Sequence, residues 1–308
     1  MKKLICVVMA IVMCVACLAM AGCSAGDAGF TVGVCQLMEH ESLDKATNGF
    51  KDALKAEMDK AGKTVNIDVQ VAGETDACTT IINTFTAKKV DLIMANATPA
   101  LAAAATGTTQ IPILGTSVTD YESTFGGKIP ANVSGTSDAV PFDEQAQMMI
   151  DTLGLKASDQ VGVIYCTGES NSVIQYEAVK ALFEAEKIVV EAYTFSETTE
   201  LQALVTKAAA ECKAIYIPSD NTVADNDAVV GTICGAEKVP VYTSYGGAIC
   251  YASLAIDYYQ LGYETGKMAA QILLGTKAVA DLEIKTLTPS VIYNEELCQN
   301  LGITIPKN

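Results

Sequence analysis

The feature that most constrains this chain is a strand–helix pattern that occurs twice with the same spacing. Gly33 in the strand-like "FTVGVCQ" stands 79 residues before Pro112, and Gly162 in "QVGVIYC" stands 78 residues before Pro240. In the first half, Leu43, Ala46, Phe50, Leu54 and Met58 fall at helical spacing, with Ser42 placed to cap the helix. "VNIDVQV" alternates like a half-covered edge strand, and the continuously apolar "DLIMANA" reads as a central parallel strand, followed by a helix and "IPILGTS". The second half repeats this as "QVGVIYC", a helix near 175–186, "IVVEAYTF", a helix from about Glu200 to Glu211, "KAIYIPSD" and "VPVYTSY". The expected fold is α/β: two doubly wound parallel-sheet lobes whose strand ends face a shared interdomain cleft, where ligands bind in such sheets.

The first residues resemble an export signal. Lys2 and Lys3 precede an uncharged apolar stretch from Leu4 to Met20, and small residues lead to Cys23, as in a bacterial lipobox. The expectation is a lipoprotein signal over 1–22, lipidation of Cys23 and a tether over 23–29, with an uncleaved membrane anchor as the alternative. Seven cysteines follow (Cys35, Cys78, Cys166, Cys212, Cys234, Cys250 and Cys298) with no CxxC among them, which points to buried free thiols rather than disulfides or zinc. The formal charge of −16 argues against nucleic acid as a partner. All 20 basic residues are lysine, so no guanidinium fork is available, and an anionic ligand group must rest on backbone N–H groups, hydroxyls or lysine.

Seven segments in order resemble one family: "VGVCQLMEHESLD", "VDLIMANATPA", "IPILGTSVTD", "NVSGTSD", "VGVIYCTGESNS", "YIPSDNTV" and "IDYYQLGYETGKMAAQILLG". Together they are similar to ABC-transporter substrate-binding proteins of the tryptophan/tyrosine-binding type, within the type I periplasmic-binding-protein fold. The resemblance implies a lipid-anchored, extracytoplasmic receptor that needs no cofactor or metal, captures an apolar or aromatic amino acid and passes it to an ABC permease. A sensory receptor of the same fold, or a binder of a sugar or nucleoside, is the alternative. Sugar is disfavoured because the chain has no tryptophan, although Tyr121, Tyr165 or Tyr245 can stack on a ring. The expected lobes are 30–134 plus 256–282 and 135–255 plus 283–308, hinged near Ser134–Ser137 and Ala252–Asp257.

The candidate site residues follow from the strand ends. Thr98-Pro99 reads as an N-cap and first helical residue, aiming a helix N-terminus into the cleft, and Ser117, Thr119 and Ser137 can complete a donor ring for a carboxylate. Across the cleft, Asp220 and Asn221 are either helix punctuation or acceptors for an ammonium, with Glu169, Asn171 and Ser172 on the same rim. Glu169 and Asp257 are the other candidate ammonium sites. Gln36, Tyr245 and the lone His40 complete the set; His40 can equally be a surface or capping residue. Neither a metal cluster, a Ser-His-Asp triad, a P-loop nor a GxGxxG turn is present, so an enzyme is not expected.

Overall fold

The computed structural model describes residues 29–306; the expected signal segment and Cys23 lie outside it. The first sheet is built from β1 (Phe30–Gln36), β2 (Val65–Val71), β3 (Leu92–Asn96), β4 (Ile113–Val118), β5 (Val133–Ser137) and β11 (Lys285–Thr286), in the order β11-β5-β4-β3-β1-β2. The second contains β6 (Gln160–Cys166), β7 (Val189–Phe195), β8 (Ala214–Ile217), β9 (Val241–Thr243), β10 (Ala252–Ala255) and β12 (Ser290–Tyr293), in the order β12-β10-β9-β8-β6-β7. All pairings are parallel except β10 with β12. Each lobe therefore reverses its strand order beside its first strand, the switch point at which doubly wound sheets open a crevice.

The helices are α1 (Glu41–Lys60), α2 (Thr75–Lys88), α3 (Thr98–Gly107), α4 (Tyr121–Thr124), α5 (Phe142–Leu153), α6 (Ser170–Ala185), α7 (Thr198–Glu211), α8 (Asn221–Asp225), α9 (Asp227–Glu237), α10 (Tyr258–Leu273) and α11 (Glu295–Leu301). They cover both faces of both sheets. Phe85, Ile82 and Leu101 pack on one face of the first sheet, and Phe50, Leu54, Met58 and Met268 on the other. The spaced apolar residues of α1 are all buried, as their period requires. The sequence repeat has a backbone counterpart: Pro112 accepts from Ile93 N at 2.9 Å and Pro240 from Ile215 N at 3.0 Å, so each proline fixes the start of the fourth strand of its lobe.

Helices α1 and α10 touch backbone to backbone. A Cβ at Gly262 would collide with the Ala46 carbonyl, and one at Gly49 with that of Tyr259. Only glycine permits this approach, which clamps α10 to the first lobe directly after the chain has crossed from the second.

Several expectations need correction. Ser42 lies inside α1, whose N-cap is His40, and α6 begins at Ser170 rather than near Gln175. In β2, Val69 and Val71 are exposed rather than half-covered. The first expected hinge segment belongs to β5, and its crossing follows at 138–141; the second spans β10 and includes the crossing at 256–257, and a third crossing lies at 287–289. Residues 135–137 and 285–286, expected in the second lobe, pair in the first sheet. All seven cysteines within the described residues are buried and free.

Candidate functional site

Strands β3, β4 and β5 of the first lobe end side by side at the cleft. After β3 the chain turns through Ala97 at φ 96°, so that Ala97, not Thr98, is the N-cap of α3 and Thr98-Pro99 occupy its first turn. Ser117, near the end of β4, sits at φ 54°. Left-handed backbone at non-glycine residues costs of order 1–3 kcal/mol each and is characteristic of functional sites. The Thr98 and Ser117 hydroxyls are buried and have no hydrogen-bond partner. Buried polar groups are almost always paired, so two spare hydroxyls near a helix N-terminus stand out as candidates to meet an anion.

The rest of the expected donor ring is already engaged. Thr119 Oγ1 donates to Asp138 Oδ1 at 3.1 Å and accepts from Gln175 Nε2 at 3.2 Å. Ser137 Oγ donates to the Thr119 carbonyl at 3.0 Å and accepts from Ala139 N at 3.1 Å. Gln36 is likewise saturated, donating to the Met38 carbonyl and Asp44 and accepting from Thr47. It braces the loop before α1 and does not reach the cleft with a free atom.

In the second lobe the two acids hold the wall together. Glu169 Oε1 accepts from Thr222 N and Thr222 Oγ1, both at 2.8 Å, while Oε2 accepts from Asn221 N at 3.0 Å and Asn221 Nδ2 at 2.5 Å. Asp220 Oδ1 caps α8 by accepting from Val223 N, and Oδ2 accepts from Cys166 N, both at 2.8 Å. Burial, reinforced by the neighbouring Glu169, holds the Asp220 carboxyl well above the usual carboxylate range. Asn171 Nδ2 donates to the Ser219 carbonyl at 2.7 Å, leaving Asn171 Oδ1 without a partner, and Ser172 is fully buried in the first turn of α6.

Two side-chain contacts cross the cleft directly. One is Gln175 to Thr119; the other joins His40 Nε2 and Asn221 Oδ1 at 3.3 Å. Because Asn221 Nδ2 is committed to Glu169, its Oδ1 faces His40, and His40 must carry its proton on Nε2. Burial pushes the His40 pKa down, against the Asn221 hydrogen bond and the nearby acids. Gln175 and Asp138 escaped the sequence reading. Gln175 stands four residues after Asn171 on α6, hence on the same helix face, a signal that was available.

A cavity of about 830 Å³ opens beside these contacts, lined by His40, Tyr245, Asp257, Tyr258 and Ile249 among others. Tyr245 donates to Asp227 Oδ1 of α9 at 2.6 Å. Burial raises the Asp227 carboxyl to about 6. Asp257 caps α10 by accepting from Gln260 N at 3.1 Å, and its side chain is exposed. Thr98 and Pro99 line a smaller cavity of about 330 Å³ with Gly168 and Ser170 opposite. Tyr121 and Tyr165 are core residues, the latter stacked on Tyr176 at 4.9 Å. No group of three or more metal-ligating side chains occurs among the described residues, and no helix there is long and apolar enough to cross a membrane.

The family description "ABC transporter substrate binding protein" matches residues 31–308. The chain belongs to that family. As a substrate-binding protein of an ABC transporter it is a receptor and not an enzyme. It is 35% identical over 282 residues to a tyrosine-binding protein of Clostridioides difficile (strain R20291), covering 88% of this chain and 81% of that one. Among solved structures, the ABC domain in complex with L-Trp from Streptococcus pneumonia is 31% identical with a TM-score of 0.81, covering 89% and 96% of the two chains. The ligand-free, open structure of a Clostridium difficile substrate-binding protein with adhesive properties is 33% identical, covers 91% and 97%, and has a TM-score of 0.67. Despite its higher identity, the open structure superposes less well than the tryptophan complex.

Proposed function

We propose that this substrate-binding protein captures an aromatic amino acid, tyrosine or tryptophan, outside the cytoplasm and delivers it to its ABC permease, held to the membrane by a lipid on Cys23. The observation that carries the ligand class is the pair of buried, unpartnered hydroxyls, Thr98 Oγ1 and Ser117 Oγ, at the strand ends of the first lobe. A ligand carboxylate satisfies both and gains the N-terminus of α3, a mode that needs no arginine. The large cavity offers tyrosine rings and Ile249 to an aromatic side chain. The relatives that bind tyrosine and tryptophan support the same reading.

Isothermal titration with L-tyrosine, L-tryptophan and L-rhamnose tests the ligand class. Binding of either aromatic amino acid with no heat from the sugar is the expected result; binding of the sugar alone overturns it. Anchoring is tested separately by Cys23→Ala, expected to abolish lipid labelling and leave unprocessed precursor, whereas unchanged labelling places the lipid elsewhere.

A further inference from the structure

The amino-acid reading leaves one pole of the ligand unassigned. Of the acids expected to hold an ammonium, Asp257 is an exposed helix cap, and Glu169 and Asp220 are each engaged by donors of their own wall, backbone N–H groups included. A fourth acid differs from all three. Asp138 is buried immediately after β5, and the side chains that donate to its carboxylate are two neutral hydroxyls, Thr119 Oγ1 at 3.1 Å and Tyr258 Oη at 2.9 Å, beside its own backbone N–H. A carboxylate has about four lone-pair sites, so acceptor capacity is left over. No cation is among its neighbours, and burial holds its pKa above the usual range.

The position of Asp138 fits the zwitterion. Val118 of β4 pairs with Ser137 of β5, so Ser117 just before that pair and Asp138 just after it lie diagonally across adjacent strand ends, their Cα atoms about 8 Å apart from a strand spacing of about 4.8 Å and a rise of about 3.3 Å per residue. An α-amino acid carries both poles on one carbon and needs its acceptor and donor sites this close together. Tyr258, which lines the large cavity, joins that cavity to Asp138 through its hydroxyl. Resting on the amino-acid reading above, we propose that Asp138 receives the ligand's ammonium while Thr98 and Ser117 receive its carboxylate, so that the first lobe holds both poles. The amino group then acts on closure as well as affinity: Tyr258 begins α10 just after the second crossing, and Thr119 accepts from Gln175 of the second lobe.

The test titrates wild type, Asp138→Asn and Tyr258→Phe with L-tyrosine and with 3-(4-hydroxyphenyl)propanoate, which lacks the ammonium. A charge-assisted hydrogen bond lost at Asp138→Asn weakens L-tyrosine by about tenfold to a hundredfold and leaves the propanoate's affinity unchanged. Tyr258→Phe keeps the ring and removes one donor from the carboxylate, so it weakens L-tyrosine severalfold, again without effect on the propanoate; it carries the test if Asp138→Asn does not fold. Unchanged tyrosine affinity, or equal loss for both ligands, overturns the Asp138 assignment and leaves the amino-acid reading intact. Wild type that binds neither L-tyrosine nor L-tryptophan overturns that reading, and this assignment with it.

Discussion

The two lobes share one topology and use their strand ends in opposite ways. In the first lobe, Thr98 and Ser117 keep spare hydroxyls and Asp138 keeps spare acceptor capacity. In the second, Glu169 and Asp220 spend their oxygens on backbone N–H groups at the end of β6 (Cys166) and the start of α8 (Asn221, Thr222 and Val223). Residues that recognise a ligand are those with hydrogen-bonding capacity left over; residues with none left shape the wall. Asn171 is the exception in the second lobe, with one oxygen unpaired.

The sharpest way to break this contrast is Glu169→Ala. It strips the acceptors from Asn221 N and Thr222 N, both buried, and unsatisfied buried donors cost about 1–3 kcal/mol each, so a loss of about 3 kcal/mol or more of stability is expected. Asp220→Asn acts in the same direction but less, because the asparagine oxygen can still cap α8 while its amide meets the Cys166 N–H donor to donor. Calorimetric melting measures both. Full stability with lost binding would move these acids from the wall into the recognition site.

The counterpart in the first lobe is the double variant Thr98→Val, Ser117→Ala. Neither hydroxyl has a protein partner to lose, so the melting temperature should hold or rise while affinity for L-tyrosine falls by about tenfold to a hundredfold. Titration and melting on the same sample separate the two effects. A melting loss as large as that of Glu169→Ala would erase the difference between the lobes.

These pairs also mark how far the sequence alone could lead. The lobes, the central strands and the buried helix faces were legible because apolar period and the Gly-to-Pro spacing are properties of the chain itself. Strand-end chemistry was legible only as a set of candidates. Thr98 and Ser117 look no different in sequence from Thr119 and Ser137; what separates them is whether a neighbour brought in by the fold, such as Asp138 or Ala139 N, takes up the hydroxyl. Helix capping is one of the two roles that the sequence allows Asp220, but its second anchor at Cys166 N lies 54 residues away. Asp227 reaches Tyr245 through a turn of chain that no local motif announces.

A smaller effect is expected at Asp227→Asn. Its carboxyl is raised to about 6 by burial, with Glu41 adding to the rise, so the folded state disfavours the ionised form. The stability it contributes is present below the ordinary carboxylate range and is lost as pH rises through about 6. The substitution should therefore stabilise the protein at pH 7 by about 1–2 kcal/mol, after allowance for solvent screening at a half-buried site, and have little effect at pH 4. Melting curves at the two pH values decide it. Equal shifts at both would mean that the carboxyl ionises freely in the fold.

The smallest expected effect concerns the one contact in which the lobes meet through a titratable group. Opening the cleft exposes His40 and returns it toward its ordinary pKa of about 6.5, while closing it against Asn221 favours the neutral ring. Closure, and with it affinity, is thus complete above that value and weakens as pH falls below it. One pH unit below 6.5 the open form is mostly protonated, which limits the loss to about tenfold if the closed form stays neutral. The groups facing His40 are Asn221 and Glu169 from the second lobe wall, Asp225 from α8 and Asp44 from α1, and the three acids moderate that loss by favouring the imidazolium. Titrations with L-tyrosine at pH 7.5 and 5.5 should show a severalfold decrease in wild type and a flatter response in His40→Gln. The same pair on the Asp227→Asn background removes the cavity carboxyl that burial raises to about 6. A pH response that survives His40→Gln but disappears with Asp227→Asn would transfer the sensitivity from the contact between the lobes to the cavity wall.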